Sequence, residues 1–257
     1  MRVNLQPAYI MHSRPYRDSS ALLDVFTAEY GRISLVARGA RRQTRRGSSA
    51  ALLQPFIPLL LSFSGRSELK TLVGIEVAQG RFALRNERVF SGMYMNELLV
   101  RLLHRDDAHP ALFLAYDQAL KALTSADVLD TVLRRFEYRL LEELGYNFDL
   151  HVDGASGQPV QPTSVYCYEP GVGLVATSGV GDSMRGVYAG YDLLAMAAGD
   201  FGGGARSAAK RLLREALAEH LGSAPLRSRE LFLATRGRAE QKALPVLSTC
   251  VSPGDLT

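Results

Sequence analysis

The sequence predicts an α+β protein, with a small closed β-barrel at the N-terminus followed by a mostly α-helical region. Three observations lead there. Five short β-rich runs fall within the first eighty residues, and beyond residue 81 the apolar spacing changes to helical period. The chain of 257 residues is 47% hydrophobic and 22% charged. That ordinary balance excludes a mostly disordered chain, a collagen and a polytopic membrane protein.

The five runs are Tyr9-Ile10-Met11, Leu22 to Thr27, Ile33 to Ala37, Phe56 to Phe63, and Lys70 to Ile75. They are rich in β-branched and aromatic residues. Gly31, after Glu29-Tyr30, supplies a hairpin turn between the second and third. So many short strands in so little chain suggest a closed barrel such as an OB-fold, over residues 1–80.

Residues 81–257 form the second expected domain. Phe90, Tyr94, Leu98, Leu99, Leu102 and Leu103 make one helical stripe. Leu112, Phe113, Tyr116, Leu120 and Leu123 make another, opened by Pro110. Val132, Leu133, Phe136, Leu140, Leu141 and Leu144 make a third, stopped by Gly145. Such stripes are core-forming faces. Residues 146–190 interrupt this domain with Gly- and Pro-rich loops and short β-like pieces at Val165–Tyr168 and Gly173–Val175. Helical pattern returns at Leu193–Ala198, Ser207–Leu221 and Leu226–Thr235. The tail after Lys242 has two prolines and no periodicity, so it is expected to fray.

The formal charge of +4 is unevenly placed. Residues 1–80 hold eleven Lys and Arg against five Asp and Glu, a net +6, and the remainder is −2. No acid lies between Tyr30 and Ser67, and five arginines crowd positions 38–46. Repulsion among those guanidinium groups is relieved by a polyanion, whose binding releases condensed counterions. The expected polyanion site is therefore a barrel loop.

Two cysteines, Cys167 and Cys250, make no disulfide framework, and no apolar leader follows Arg2. The apolar run Phe56–Phe63 has strand length, too short to span a bilayer as a helix. These features predict a reduced, cytoplasmic protein with no membrane partner.

Ordered blocks along the chain resemble the bacterial RecO family. They include His12-Ser13-Arg14-Pro15-Tyr16-Arg17-Asp18, Gly31-Arg32, Val36-Ala37-Arg38-Gly39-Ala40-Arg41-Arg42 and Leu53-Gln54-Pro55-Phe56. Tyr94-Met95-Asn96-Glu97-Leu98-Leu99, Arg134-Arg135-Phe136-Glu137, Leu144-Gly145-Tyr146 and Ser228-Arg229-Glu230-Leu231-Phe232 follow in order. The resemblance implies an N-terminal OB-fold, a helical domain, and a zinc-knuckle-like insertion in some members. It also implies a nucleoid-associated recombination mediator that binds single- and double-stranded DNA and anneals complementary strands. With RecR, such proteins help load RecA onto strands coated by single-stranded DNA-binding protein (SSB).

Zinc-bearing members carry two short-spaced cysteine pairs after the Leu-Gly-Tyr segment. Here His151, Gly154 and Ser156-Gly157-Gln158-Pro159 occupy the first region, and Cys167 stands alone in the second. A structural zinc site needs four ligands, and His151 with Cys167 supplies two; Asp149 and Asp153 read better as solvated carboxylates. The expectation is a knuckle-like region without zinc, and no cofactor.

For the DNA site, the candidates are Arg14, Arg38, Arg41, Arg42, Arg45, Arg46 and Lys70 on phosphates, with Tyr16 stacking on an unpaired base. A second basic face, Lys210, Arg211, Arg214, Arg227 and Arg229, would extend the path. The resemblance also implies recognition of the acidic, apolar-ended SSB tail. Leu133, Arg134, Arg135 and Phe136 offer the greasy floor and guanidinium such a tail needs. Two other readings remain open: an RNA-binding OB module and, against the absence of phosphate-loop or nucleophile motifs, a DNA-processing enzyme.

Overall fold

The protein is described by a computed structural model covering residues 1–40, 51–78, 82–125, 127–146, 148–178 and 186–243, with the last eight as backbone alone. Five strands, β1 (Arg2–Tyr16), β2 (Ser20–Thr27), β3 (Gly31–Ala37), β4 (Leu59–Ser64) and β5 (Leu69–Val77), close into a barrel in the order β1-β2-β3-β5-β4. All neighbours are antiparallel except β3 and β5, which run parallel. This is an OB-fold-like arrangement.

β1 is far longer than the three apolar residues that announce it. It pairs with β2 from Ala8 to Tyr16 and with β4 from Arg2 to Ala8, so polar residues are recruited by two partners. Its alternation divides the core. Ala8 and Ile10 point into the barrel with Leu23, Leu35, Leu61 and Phe63. Tyr9 and Met11 point outward and, with Phe26, belong to the helical core.

The hairpin at Gly31 has the expected glycine at φ +61°. Thr27 Oγ1 closes the turn by accepting from Tyr30 N at 3.1 Å and donating to Gly31 O at 2.8 Å. A Cβ on Gly31 would lie 1.6 Å from Asp107 O, so the turn is also a docking point for the helical region.

That region follows as α1 (Glu87–Leu102), α2 (Pro110–Ala122) and α3 (Leu129–Glu143). A small sheet comes next, with β6 (Val165–Glu169) central between β7 (Gly173–Thr177) and β8 (Val187–Ala189). The last elements are α4 (Gly190–Ala197), α5 (Arg206–Leu221) and α6 (Arg227–Ala243). Most of each stripe read from the sequence is buried: Leu98, Leu99, Tyr116, Leu120, Leu140 and Leu141 are fully enclosed, while Phe90, Tyr94, Leu133 and Leu144 are half-buried. β8 carried no sequence signal, because three residues show no period. No described helix is long and apolar enough to cross a membrane.

Polar contacts join barrel and helices. Tyr9 Oη donates to Asp117 at 2.5 Å, Asn96 Nδ2 donates to Met11 O at 3.0 Å, and the Tyr116 hydroxyl donates to Asn96. Arg32 reaches the C-terminal end of α1, donating to the carbonyls of Val100 and Leu103 and pairing with Asp24. A guanidinium there satisfies orphan carbonyls and complements the helix dipole. Gly31, Arg32 and Asn96 thus hold the two parts together.

Candidate functional site

Two clusters gather the candidate residues. The first is the barrel rim where the β1–β2 hairpin meets the end of β3. Ala21 pairs with Ala37, so Arg38 emerges beside Ser20 and the hairpin tip. Tyr16, Arg17, Ser19, Ser20, Val36, Arg38 and Gly39 line an open hollow of about 380 Å³. Arg14 is exposed and shares the Tyr16 face of β1. The Arg17 guanidinium lies 5.2 Å from the Tyr16 ring centroid.

Among the described residues, the barrel's ion pairs involve Arg32, Lys70 and Glu68, and none involves Arg14, Arg17 or Arg38. These three cations stand in solvent around one aromatic face. Arg17 was not among the candidates. Its signal was its place beside Tyr16 in a tight turn, which fixes it at the tip. Arg41, Arg42, Arg45 and Arg46 lie outside the described residues, in the stretch that Arg38 leads into.

Lys70 does not join this rim. Its side chain is only 7% exposed and its ammonium sits 2.5 Å from Asp106 Oδ1. The amphipathic chain packs where β5 meets the α1–α2 connection, and the nearest carboxylate takes its charge. It is removed from the DNA candidates.

The second cluster is a groove of about 810 Å³ between α1, α3, α5 and α6. Phe90, Leu129, Leu133, Leu217, Leu226 and Phe232 give it apolar walls, and Phe90 meets Phe232 edge to face at 5.8 Å. Arg134, Arg206, Lys210, Arg214 and Arg229 surround these walls. Leu133 and Arg134 from the tail set and Lys210, Arg214 and Arg229 from the second basic face therefore share one site.

The other residues of those two sets are elsewhere. Phe136 is 2% exposed and packs on Tyr116, and Arg135 points to Gly199 O at 3.3 Å. On α3, Phe136 lies about 200° round from Arg134, which turns it inward. Arg211 is one residue round α5 from Lys210; it donates to Val187 O and stacks on Tyr188. Arg227 uses its backbone N–H against Glu97, and its side chain is not in the groove wall.

The groove floor is a buried polar network. Arg134 is paired with Glu137 at 2.8 Å, with side chains 8% and 0% exposed. Tyr94 Oη donates to the same carboxylate at 2.7 Å. Burial pushes the Glu137 carboxyl above its usual range, against the opposing pull of Arg134 and Tyr94. At the rim of the groove, Arg206 donates to Asp130 at 2.9 Å and Lys210 lies 3.9 Å from it. Burial acts to raise the Asp130 carboxyl, but Arg206 and Lys210 outweigh it and hold it low. Arg214 and Arg229 have no ion-pair partner among the described residues.

In the knuckle-like region, no three His, Cys, Asp or Glu among the described residues converge as metal donors. Asp153 organises the turn instead. Its carboxylate accepts from Ala155 N, Ser156 N and Ala176 N at 2.9, 3.0 and 3.0 Å, tying the turn to β7. Those backbone donors, Ser156 foremost, hold its carboxyl below the usual range. Asp153 was expected to be solvated; it is buried and fully engaged. Cys250 lies outside the described residues.

Known proteins resemble the chain over most of this architecture. Residues 1–81 match the family model for the N-terminal part of recombination protein O, and residues 86–230 match the model for its C-terminal part. A DNA repair protein RecO of Stutzerimonas stutzeri is 48% identical over 229 residues, covering 89% of this chain and 93% of that protein. The same-named proteins of Pseudomonas aeruginosa strain LESB58 and Nitrosospira multiformis are 45% and 43% identical, over 89% and 90% of this chain and 94% and 95% of theirs.

Proposed function

The chain belongs to the RecO family of DNA repair proteins, and we propose that it works there as a recombination mediator, not as an enzyme. In this reading it binds single- and double-stranded DNA and anneals complementary strands. With RecR it helps load RecA onto SSB-coated single strands. It does so in the cytoplasm, at the nucleoid. The barrel, residues 1–80, holds the DNA, and the remainder carries the partner groove.

The observation that carries the reading is the rim of Arg14, Arg17 and Arg38 around Tyr16, cations without carboxylate partners among the described residues. Annealing needs no nucleophile. It needs two like-charged strands brought close, and arginines on phosphates lower that repulsion. Tyr16 would hold an unpaired base by stacking, worth roughly 1–3 kcal/mol. Arg41, Arg42, Arg45 and Arg46 extend the same path.

The SSB tail suits the groove. Its apolar end fits between Phe90, Leu133 and Phe232, and its acids face Lys210, Arg214 and Arg229. The terminal carboxylate would meet a guanidinium, Arg134 or Arg214. This revises the second basic face: Lys210, Arg214 and Arg229 serve the protein partner before they serve DNA.

The test is annealing of SSB-coated complementary oligonucleotides across a salt series, with and without RecR. Annealing that falls steeply as salt rises, with strands left intact in Mg²⁺, is the expected result. Salt-insensitive annealing removes the rim as the DNA site. Preference for single-stranded RNA in direct competition would favour an RNA-binding module.

A further inference from the structure

One wall of the groove is α6, and its attachment is narrow. α6 packs chiefly on α1. Two family-signature blocks meet there, the one around Glu97 and the one beginning at Ser228. The function proposed above uses neither Glu97 nor Ser228.

The Glu97 carboxylate closes the start of α6 from the outside. Its Oε1 accepts from Arg227 N at 3.0 Å, and its Oε2 accepts from Ser228 N at 2.9 Å and Ser228 Oγ at 2.7 Å. The first N–H groups of a helix have no partner of their own, and a carboxylate from another helix satisfies them and complements the dipole. Arg101, one turn along α1, donates to Glu97 at 2.8 Å and to the carbonyls of Ala224 and Pro225 at 2.7 and 2.5 Å. The same pair of side chains therefore fixes both the α5–α6 turn and the first turn of α6. Gly222, at φ +69°, ends α5 just before this turn.

We propose that Glu97 and Arg101 are positioning residues for the peptide groove: they clasp α6 so that Arg229 and Phe232 face the ligand. This rests on the groove being the SSB-tail site. Neither residue lines the groove, so each acts through α6 and the α5–α6 turn, whose Ala224 and Pro225 do line it. With the clasp released, the wall is held among the described residues by apolar packing such as the Phe90–Phe232 contact. Arg214, on α5, keeps its place.

The test uses the full chain and a synthetic peptide carrying several aspartates and ending in two apolar residues with a free carboxylate. Glu97→Ala should weaken peptide binding about five- to thirtyfold, the range expected for losing a helix cap. Glu97→Gln, which keeps an acceptor, should lie between. Single-stranded DNA affinity, read on the same preparations, should not change, which also shows that the variants are folded. The deciding readout is additivity. Glu97→Ala should add less than its full effect to the loss caused by Phe232→Ala, because both act on the α6 wall and only the Arg229 contribution remains for the clasp to hold. It should add fully to the loss caused by Arg214→Ala, on the opposite wall.

Unchanged peptide affinity in Glu97→Ala, alongside faster amide exchange at residues 228–235, overturns the clasp and leaves the groove standing. Full additivity with Phe232→Ala also overturns it. A wild-type chain that does not bind the peptide removes the groove reading itself.

Discussion

The barrel rim and the helical groove both present arginines, but they hold them in opposite ways. At the rim, Arg14, Arg17 and Arg38 project into solvent with no ion-pair partner among the described residues. In the groove, Arg134 is locked to Glu137, and Arg206 and Lys210 lean on Asp130. A DNA backbone offers repeated charge in any register, so mobile, unpaired cations suit it. A peptide end must be met at one point, so its cations gain from being fixed in place. Arg214 and Arg229, unpaired among the described residues like the rim arginines, are set apart from them by the apolar walls and the fixed cations beside them.

Stability separates the two most sharply. Arg134→Ala would leave Glu137 buried without its counter-charge, and should cost about 3–5 kcal/mol in urea unfolding. Arg14→Ala, on the rim, should stay within about 0.5 kcal/mol of wild type. An Arg134→Ala variant as stable as the rim variant would break the comparison. It also follows that peptide loss in Arg134→Ala is not by itself a sign of ligand contact.

Charge reversal at the rim should give the next largest effect. The triple variant Arg14→Glu, Arg17→Glu and Arg38→Glu should weaken single-stranded DNA binding on the order of a hundredfold, and flatten the log–log salt slope by about 2. Its urea midpoint and peptide affinity should match wild type. Reversing Arg41, Arg42, Arg45 and Arg46 should likewise abolish annealing without unfolding the chain. A salt slope unchanged by the triple variant would move the DNA path off the rim.

Acid should produce the smallest and most local difference. Burial tends to raise the Glu97 carboxyl, but donors from Ser228 and Arg227, with Arg101 beside it, hold it below its ordinary value of 4.5. The folded state therefore favours the ionised form. The support Glu97 gives α6 is complete above pH 4.5 and is lost as pH falls through its depressed folded value. Amide protection at residues 228–235, corrected for intrinsic pH dependence, should drop about tenfold over that descent. Protection that persists until the barrel itself unfolds would show that α6 is held by something else.

Much of the site was legible because it is a local pattern. Arg14, Tyr16 and Arg38 stood out from charge and composition, and the barrel rim gathers them. Lys70 looked the same from sequence, yet it is buried against Asp106, a residue from a different element. Leu133 and Arg134 were chosen for chemistry and do line the groove; Arg135 and Phe136 share that chemistry, but the turn of α3 carries them away. Nothing in the sequence joined Lys210, Arg214 and Arg229 to Arg134, because that requires the packing of α5 and α6 against α3 and α1.

The sequence by itself determined the barrel-then-helices order, the core faces and the placement of surplus charge. Each follows from periodicity or composition within a few turns of chain. Tertiary structure alone decided which cations are neutralised and which remain available. A charge is cancelled by whatever lies within a few ångströms, and such neighbours can come from distant segments: Asp106 for Lys70 and Asp130 for Arg206.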